Sequence, residues 1–375
     1  MASYRKRGKT WTYYVSYKKP DGKRGQKSNG GYSTKKAAQL AAIKVEQLYS
    51  HGADLAMHDV GFVEYWDKWI KLYKADKHSQ ITEARYSTLR KHLLQYFGPD
   101  RTLKSVTKSD WQEFLNQYGE HRSKDAVSRL NGYVRSMCRN AIDDQIIYSN
   151  FTTGAVLTGR RPKDRSLKFL EISALKKLYA YCVAHASLGT MYNYVIATGI
   201  LTGARFAEIM GLQWQDVDFE RATININKTW DYTYKTGFMP TKTPASVRVI
   251  DISPDLVALL KQLKAEQAAY YMKQGYRDDK DLVFRNKLHQ VMGDSAANKA
   301  LHQLEDQLNI KPRITFHGLR HSHVSYLLAR GVDINYISHR LGHSDITVTL
   351  RVYAHLLKQT ERQQVQATIR ALQAL

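Results

Sequence analysis

Cysteine is almost missing from this sequence: Cys138 and Cys182 are the only two among 375 residues. Two thiols are too few for a disulfide framework or a cysteine-based zinc site. Long apolar runs are missing as well, since no stretch approaches the roughly 18 apolar residues of a membrane span. The opening "MASYRKRGKTWTYY" carries basic residues with no apolar run behind them, so no secretory signal is expected there. Acidic residues are few beside basic ones, 34 Asp and Glu against 57 Lys and Arg, which gives a formal charge of +23. That excess suits a polyanionic partner, because each cation set on a phosphate releases a condensed counterion. A soluble, cytoplasmic protein that binds nucleic acid is the expectation, with no membrane involved. The length allows two or three domains and at least one sizeable core.

Residues 1–50 form the most basic block, with twelve Lys and Arg against only Asp21 and Glu46. Trp11, Tyr13, Val15 and Tyr17 alternate with the period of a half-buried strand. "PDGKRG" is turn chemistry, and Ser33 or Thr34 can cap a helix through Ala38, Ala41 and Val45. Two or three short strands and a helix are expected, with exposed basic strands facing DNA. "SHGADLAMHDVG" reads as a linker. Residues 62–155 then read as helical: Phe62, Tyr65, Trp66, Trp69, Ile70 and Tyr73 follow the helical repeat and form a core stripe. Thr107 or Ser109 caps a further helix. "VLTGRRPKDRSLKFLE" is a second, strongly basic linker. Beyond it come helices, an alternating strand "ATININ" (222–227), a second strand "SVRVIDI", and helices again.

Four separated stretches of this last region put basic residues in awkward places. In "LTGARFAEIMGLQWQDVD", Phe206, Ile209 and Met210 take the core side of a short helix that Gly211 can end. Arg205 and Glu208 share another face. They read equally as a surface ion pair or as working groups beside the small residues Thr202-Gly203-Ala204, which let a ligand backbone come close. In "YKTGFMPTKTPASVRVI", Lys242 occupies a turn between strands, with Lys235 a rival in the same hairpin. In "TFHGLRHSHVSYLLARG", His317 and Arg320 share a helix face. His317 with His321 raises a metal pair, but no supporting glutamate or cysteine accompanies it. In "HRLGHSDITVTLRVYAH", Gly342 permits a helix break, Ser344 can cap the next helix, and His343 lies at the boundary. Ten residues on stands Tyr353, one of 25 tyrosines.

Together these groups suit phosphoryl transfer. Arginine's planar fork can neutralise the nonbridging oxygens of a pentacovalent phosphate. Tyrosine can retain the phosphoryl group as an ester, lysine can protonate a leaving alkoxide, and histidine exchanges protons near neutrality. No acidic metal-binding cluster accompanies them, so arginines would replace a metal's electrostatic role and no cofactor or metal is expected.

"TGARFAEI", the lysine of "TKT", "HGLRHS", "LGHS" and the tyrosine ten residues later, in this order and spacing, resemble the tyrosine recombinase (phage-type integrase) family over roughly residues 165–360. The basic amino-terminal block is similar to the AP2-like arm-binding domain of integrases. The resemblance implies a multidomain chain. Residues 1–50 would be a small β-sheet plus helix arm-binding module, 62–155 an all-α core-binding bundle, and 168–375 a mixed, mainly-α catalytic domain with a small antiparallel β-sheet. By position, Arg205 and Arg320 would clamp the scissile phosphate, His317 act as general base and Lys242 as general acid. His343 would donate a hydrogen bond to the phosphate, Tyr353 attack it, and Glu208 support the first arginine. The implied activity is site-specific recombination through a 3′-phosphotyrosyl intermediate that integrates and excises a mobile element in a bacterial host. The implied partners are duplex DNA with core-type and arm-type sites, a homotetramer on that DNA, a host DNA-bending protein and an excision directionality factor. A type IB topoisomerase and a non-catalytic DNA-binding regulator are the alternatives. The tail from residue 356 onward reads as a helix with Val365, Ile369 and Leu372 on one stripe, expected to dock on a neighbouring protomer or within its own.

Overall fold

The computed structural model describes residues 2–18, 24–50, 60–75, 80–161, 169–347, 349–350, 369 and 372–373. Tyr353 and nearly all of the tail lie outside these residues, as do most of the first linker and part of the second. The chain divides into two compact units, Met1–Pro162 and Lys163–Leu375.

The first unit begins with three strands, β1 (Ala2–Arg7), β2 (Thr10–Lys18) and β3 (Arg24–Tyr32), followed by helix α1 (Lys35–Ser50). The strands form one antiparallel sheet in chain order, with Tyr4 opposite Tyr13 and Tyr13 opposite Asn29. The alternation along β2 sends Tyr13 and Val15 into a small core with Ala42 of α1, while Trp11 and Tyr17 stay half-buried. Thr34 caps α1, its hydroxyl accepting the Ala37 N–H at 3.1 Å.

Four helices follow: α2 (Phe62–Tyr73), α3 (Gln80–Phe97), α4 (Lys108–Gly119) and α5 (Lys124–Asp143). Phe62, Tyr65, Trp66 and Trp69 are buried as their spacing predicts, but Tyr73 is exposed. It is the last residue of α2, one turn beyond the part of the stripe that the other helices cover. The core is unusually aromatic. Phe62 meets Phe97 edge-on at 4.9 Å, and Trp111 lies 5.2 Å from Phe114. Such pairs are worth about 0.5–1.5 kcal/mol each beyond their buried area. Thr107, not Ser109, caps α4: its hydroxyl accepts the Asp110 N–H at 3.1 Å, and the Asp110 carboxylate accepts the Thr107 N–H at 2.9 Å.

The second unit is built on α7 (Met191–Thr202), a helix buried on nearly every side, against which α6 (Ile172–Ala184), α9 (Pro254–Gln274), α10 (Asp294–Gln307) and α11 (Phe316–Ala329) pack. A helix apolar all round belongs in such a position. The short α8 (Phe206–Met210) follows α7, and α12 (Ile334–Leu341) follows α11. Between α8 and α9 lie β4 (Val217–Asp218), β5 (Thr223–Ile226), β6 (Lys228–Asp231), β7 (Gly237–Pro240) and β8 (Arg248–Asp251). The small antiparallel sheet expected here is β4-β5-β8, and a separate antiparallel hairpin, β6-β7, accompanies it. Asn227 separates β5 from β6, so the chain changes sheet there, and the loop after β7 returns it to the main sheet at β8. Among the described residues no helix is long and apolar enough to cross a membrane.

Candidate active site

Helix α7 ends at Gly203, which adopts the left-handed conformation (φ 63°) and sends the chain into Arg205. The small residues before Arg205 do not open a path for a ligand backbone, as the sequence implied. Thr202, Gly203 and Ala204 are buried, and a Cβ added at Gly203 would lie 2.7 Å from the His323 ring. Their smallness admits a neighbouring side chain of the same unit.

Arg205 forms the amino-terminal cap of α8. Glu208, one turn on, receives both its N–H (2.9 Å) and its Nη1 (2.6 Å). The pair is not a surface ion pair, because the Glu208 side chain is only 1% exposed. On its other side Glu208 accepts Arg248 Nη2 at 3.0 Å, with the Arg248 side chain 2% exposed. Burial alone would raise the Glu208 pKa. The charges and hydrogen bonds of Arg248 and Arg205 outweigh burial and hold it below the usual carboxylate value. Glu208 therefore stays ionised and fixes both guanidinium groups.

Arg320 is buried on α11. Its Nη1 donates to the Gly203 carbonyl and its Nη2 to the Leu341 carbonyl, both at 2.8 Å, and Nη2 also lies 2.9 Å from His343 Nε2. One arginine thus ties the end of α7 to the end of α12. Gly342, left-handed at φ 69°, ends α12 and turns the chain so that His343 faces Arg320. On the far side of that ring, Nδ1 lies 2.7 Å from Thr349 Oγ1. His317 stands in the first turn of α11, its ring edge-on to His321 at 5.0 Å. The protein around it, then the charges of Arg320 and Arg205, lower its pKa. Burial, then Arg320, Arg205, Arg248 and His317, take His343 down to about 4.

Of the six residues singled out, the structure thus brings Arg205, His317, Arg320 and His343 to one place, linked by contacts or by mutual electrostatic influence. Lys242 is exposed in the loop between β7 and β8. That loop is fastened near the arginines, since Ser246 Oγ lies 3.3 Å from Arg205 Nη1 and 2.9 Å from Thr243 Oγ1. Lys235, its rival, occupies the β6–β7 turn with φ 58°. Ser344 is not the cap past Gly342. Asp345, whose carboxylate is the stronger acceptor, takes the Thr347 N–H at 2.8 Å.

Several supporting residues escaped the sequence reading. Arg248 is one. Along β8 it shares the buried face with Ile250, while Val247 and Val249 are 52% and 59% exposed. Apolar alternation would have turned that strand the wrong way, and the parity with Ile250 was the available signal. Arg248 Nε also donates to the Arg340 carbonyl at 2.6 Å, linking β8 to α12. His323 is buried, and burial with the Arg340 charge drives its pKa to about 3. On α10, Asn298 accepts the Phe316 N–H, His302 meets the Ile314 carbonyl and Glu305 accepts the Ile314 N–H, at 2.8, 3.0 and 3.0 Å. These three side chains hold the segment that enters the helix of His317 and Arg320. No spacing rule marks them, because their partners are backbone groups.

Residues 168–360 match the model of the phage integrase family, and residues 2–48 match that of an arm DNA-binding domain. The chain belongs to the phage integrase family. Relatives of this integrase-family chain include a protein described as tyrosine recombinase XerC-like from Caldanaerobacter subterraneus, 24% identical over 86% of each chain. The ICEBs1 integrase of Bacillus subtilis is 25% identical over 88% of this chain and 89% of its own. Among solved structures, the Tn1549 transposon integrase bound to a circular intermediate DNA matches with a TM-score of 0.70 at 19% identity, covering 82% of this chain and 99% of that one. A lambda integrase tetramer bound to a Holliday junction matches at 0.56 and 16% identity, over 92% and 96%. Both support the fold of this family member.

Proposed function

We propose that this enzyme of the tyrosine recombinase family cuts and rejoins DNA through Tyr353. Its activity is site-specific recombination serving the integration of a mobile element. The observation that carries the assignment of residues is the paired arginines, Arg205 held by Glu208 and Arg320 held by two carbonyls, with His343 against the second. Two guanidinium groups, one fixed by a buried carboxylate and the other by two carbonyls, are suited to receive a phosphodiester.

In this reading Arg205 and Arg320 bind the nonbridging oxygens. His317, its pKa lowered, takes the proton from the Tyr353 hydroxyl as the oxygen attacks phosphorus. The 5′-oxygen leaves with a proton from Lys242, and a 3′-phosphotyrosyl ester remains. Attack by the 5′-hydroxyl of a partner strand reverses these steps and frees Tyr353. The phosphodiester bond is conserved in the ester, so no nucleotide is consumed. His343 donates a hydrogen bond to the phosphate.

The chain is read as three parts: residues 1–50 on arm-type sites, 62–155 and 168–375 on core-type sites. The arm sheet supports this, since Arg5, Arg7 and Lys18 are exposed and the Arg5 guanidinium lies 5.5 Å from the centre of the Tyr14 ring. A homotetramer on duplex DNA follows from the exchange of two duplexes, and the lambda integrase tetramer supports it. A host DNA-bending protein and an excision directionality factor complete the set, acting in the cytoplasm of a bacterial host. The arm-domain match favours bridging of distant sites over simple relaxation of supercoils by a type IB topoisomerase.

The test is capture of covalent protein–DNA adducts from a library of nicked duplexes, in EDTA and stopped with SDS, beside Tyr353→Phe. Adducts at one sequence, absent from the variant while its DNA affinity is unchanged, are expected. Adducts scattered over many sequences would favour the topoisomerase. Adducts retained by the variant would remove Tyr353 as nucleophile.

A further inference from the structure

Resting on that reading, we propose that Thr349, backed by Ser338, is a positioning residue that keeps the proton of His343 on Nδ1, so that the Nε2 edge is the one offered to the scissile phosphate. The argument begins with donors and acceptors. An arginine has only N–H donors. With Arg320 Nη2 at 2.9 Å, His343 Nε2 must accept. A neutral imidazole that accepts at Nε2 carries its proton on Nδ1, and Nδ1 lies 2.7 Å from Thr349 Oγ1. The Thr349 hydroxyl then turns its own proton to Ser338 Oγ, 3.2 Å away. The chain of bonds runs in one direction from Arg320 to Ser338.

Burial makes the arrangement specific. Thr349 is fully buried and Ser338 is 5% exposed, so water does not stand in for either hydroxyl. Ser338 is placed by α12, and its carbonyl accepts the His343 N–H at 3.1 Å, so backbone and side chain hold the histidine together. The charges facing the ring are Arg205 at the start of α8, Arg248 on β8, and Arg320 with His317 on α11. All of them disfavour a charged ring, which keeps it neutral before DNA arrives. A bound phosphodiester reverses that balance. The anion draws the Arg320 donor to itself and favours imidazolium, with the second proton taken from solvent onto Nε2. That new N–H points at the phosphate, because Thr349 still holds the opposite edge. Without the threonine hydroxyl the ring is free to place its proton on either nitrogen or to turn.

The experiment has two parts, both on the full chain. First, nitrogen NMR of histidine-labelled protein at pH 7, with His343→Gln for assignment, reads the tautomer directly. The Nδ1-protonated form is expected in the wild type, and an Nε2-protonated form there overturns the proposal. Second, single-turnover adduct formation is followed at saturating DNA. Thr349→Val is expected to slow it about 10- to 100-fold, the loss of one hydrogen bond to a charged group, with DNA affinity little changed and Thr349→Ser restoring most of the rate. Ser338→Ala, a smaller truncation, shifts the tautomer signal the same way and serves if Thr349→Val does not fold. A wild-type rate and wild-type nitrogen shifts in both variants overturn the proposal while leaving Tyr353 chemistry standing. A wild-type protein that forms no adduct with any duplex overturns the reading of function instead.

Discussion

The helical bundle of the first unit and the interior of the second bury large side chains of different kinds. In the bundle Phe62, Trp66, Trp69 and Trp111 pack on one another, and two indole N–H groups are met by Asn140 and Asn131 at 3.0 and 2.8 Å. In the second unit the buried set includes Glu208, Arg248, Glu305, Arg320 and His323. Apolar burial is non-directional and scales with area, so the bundle coheres through many interchangeable contacts. A buried charge needs partners at defined angles. The interior of the second unit therefore recruits carbonyls from the ends of α7 and α12 and an arginine from β8. The polar interior supplies a fixed geometry, at the expense of stability that apolar residues would have given.

The sharpest way to break this comparison is Arg248→Met. Glu208 would lose its buried partner and β8 its tie to Arg340, at about 3–5 kcal/mol. Urea unfolding should show the loss, and strand cleavage should fall with it. A variant of near-normal stability would mean that the polar interior is as interchangeable as the bundle.

A smaller effect of opposite sign is expected from Glu305→Gln. Burial raises the Glu305 pKa to about 7 from its ordinary value, and Oε2 has no hydrogen-bond partner. A carboxyl raised in the folded state gives stability that is full below about 4.5 and is lost as the pH rises through about 7. Glutamine removes that dependence. The variant should match the wild type at about pH 4 and exceed it by about 2–3 kcal/mol at about pH 8, as thermal unfolding at the two pH values would show. Equal stability at both would place the carboxyl among ordinary ionised groups.

The smallest effect sharpens the bundle's side. Trp111→Phe keeps an aromatic ring in the core but strands the Asn131 carbonyl, at about 1–2 kcal/mol. A cost as large as that of Arg248→Met would erase the difference between the regions.

Much was legible in the linear chain because it is local. Alternation along Trp11–Tyr17, the stripe from Phe62 to Trp69, a helix cap at Thr107 or Ser109 and the helix break at Gly342 are all set by neighbours a few residues away. Local sterics and periodicity decide such features. The four basic stretches were legible for another reason, since their residue types and order resemble the integrase family. What the sequence alone determined is thus the elements, their order and the candidates for chemistry. Tertiary structure decided which atoms meet. Arg248 turned inward against apolar alternation, Thr349 came to stand behind His343, and Glu305 came to hold a backbone N–H of the segment before α11. Each of these rests on a hydrogen bond between groups that share no helix or strand, and no local pattern in the chain encodes such a contact.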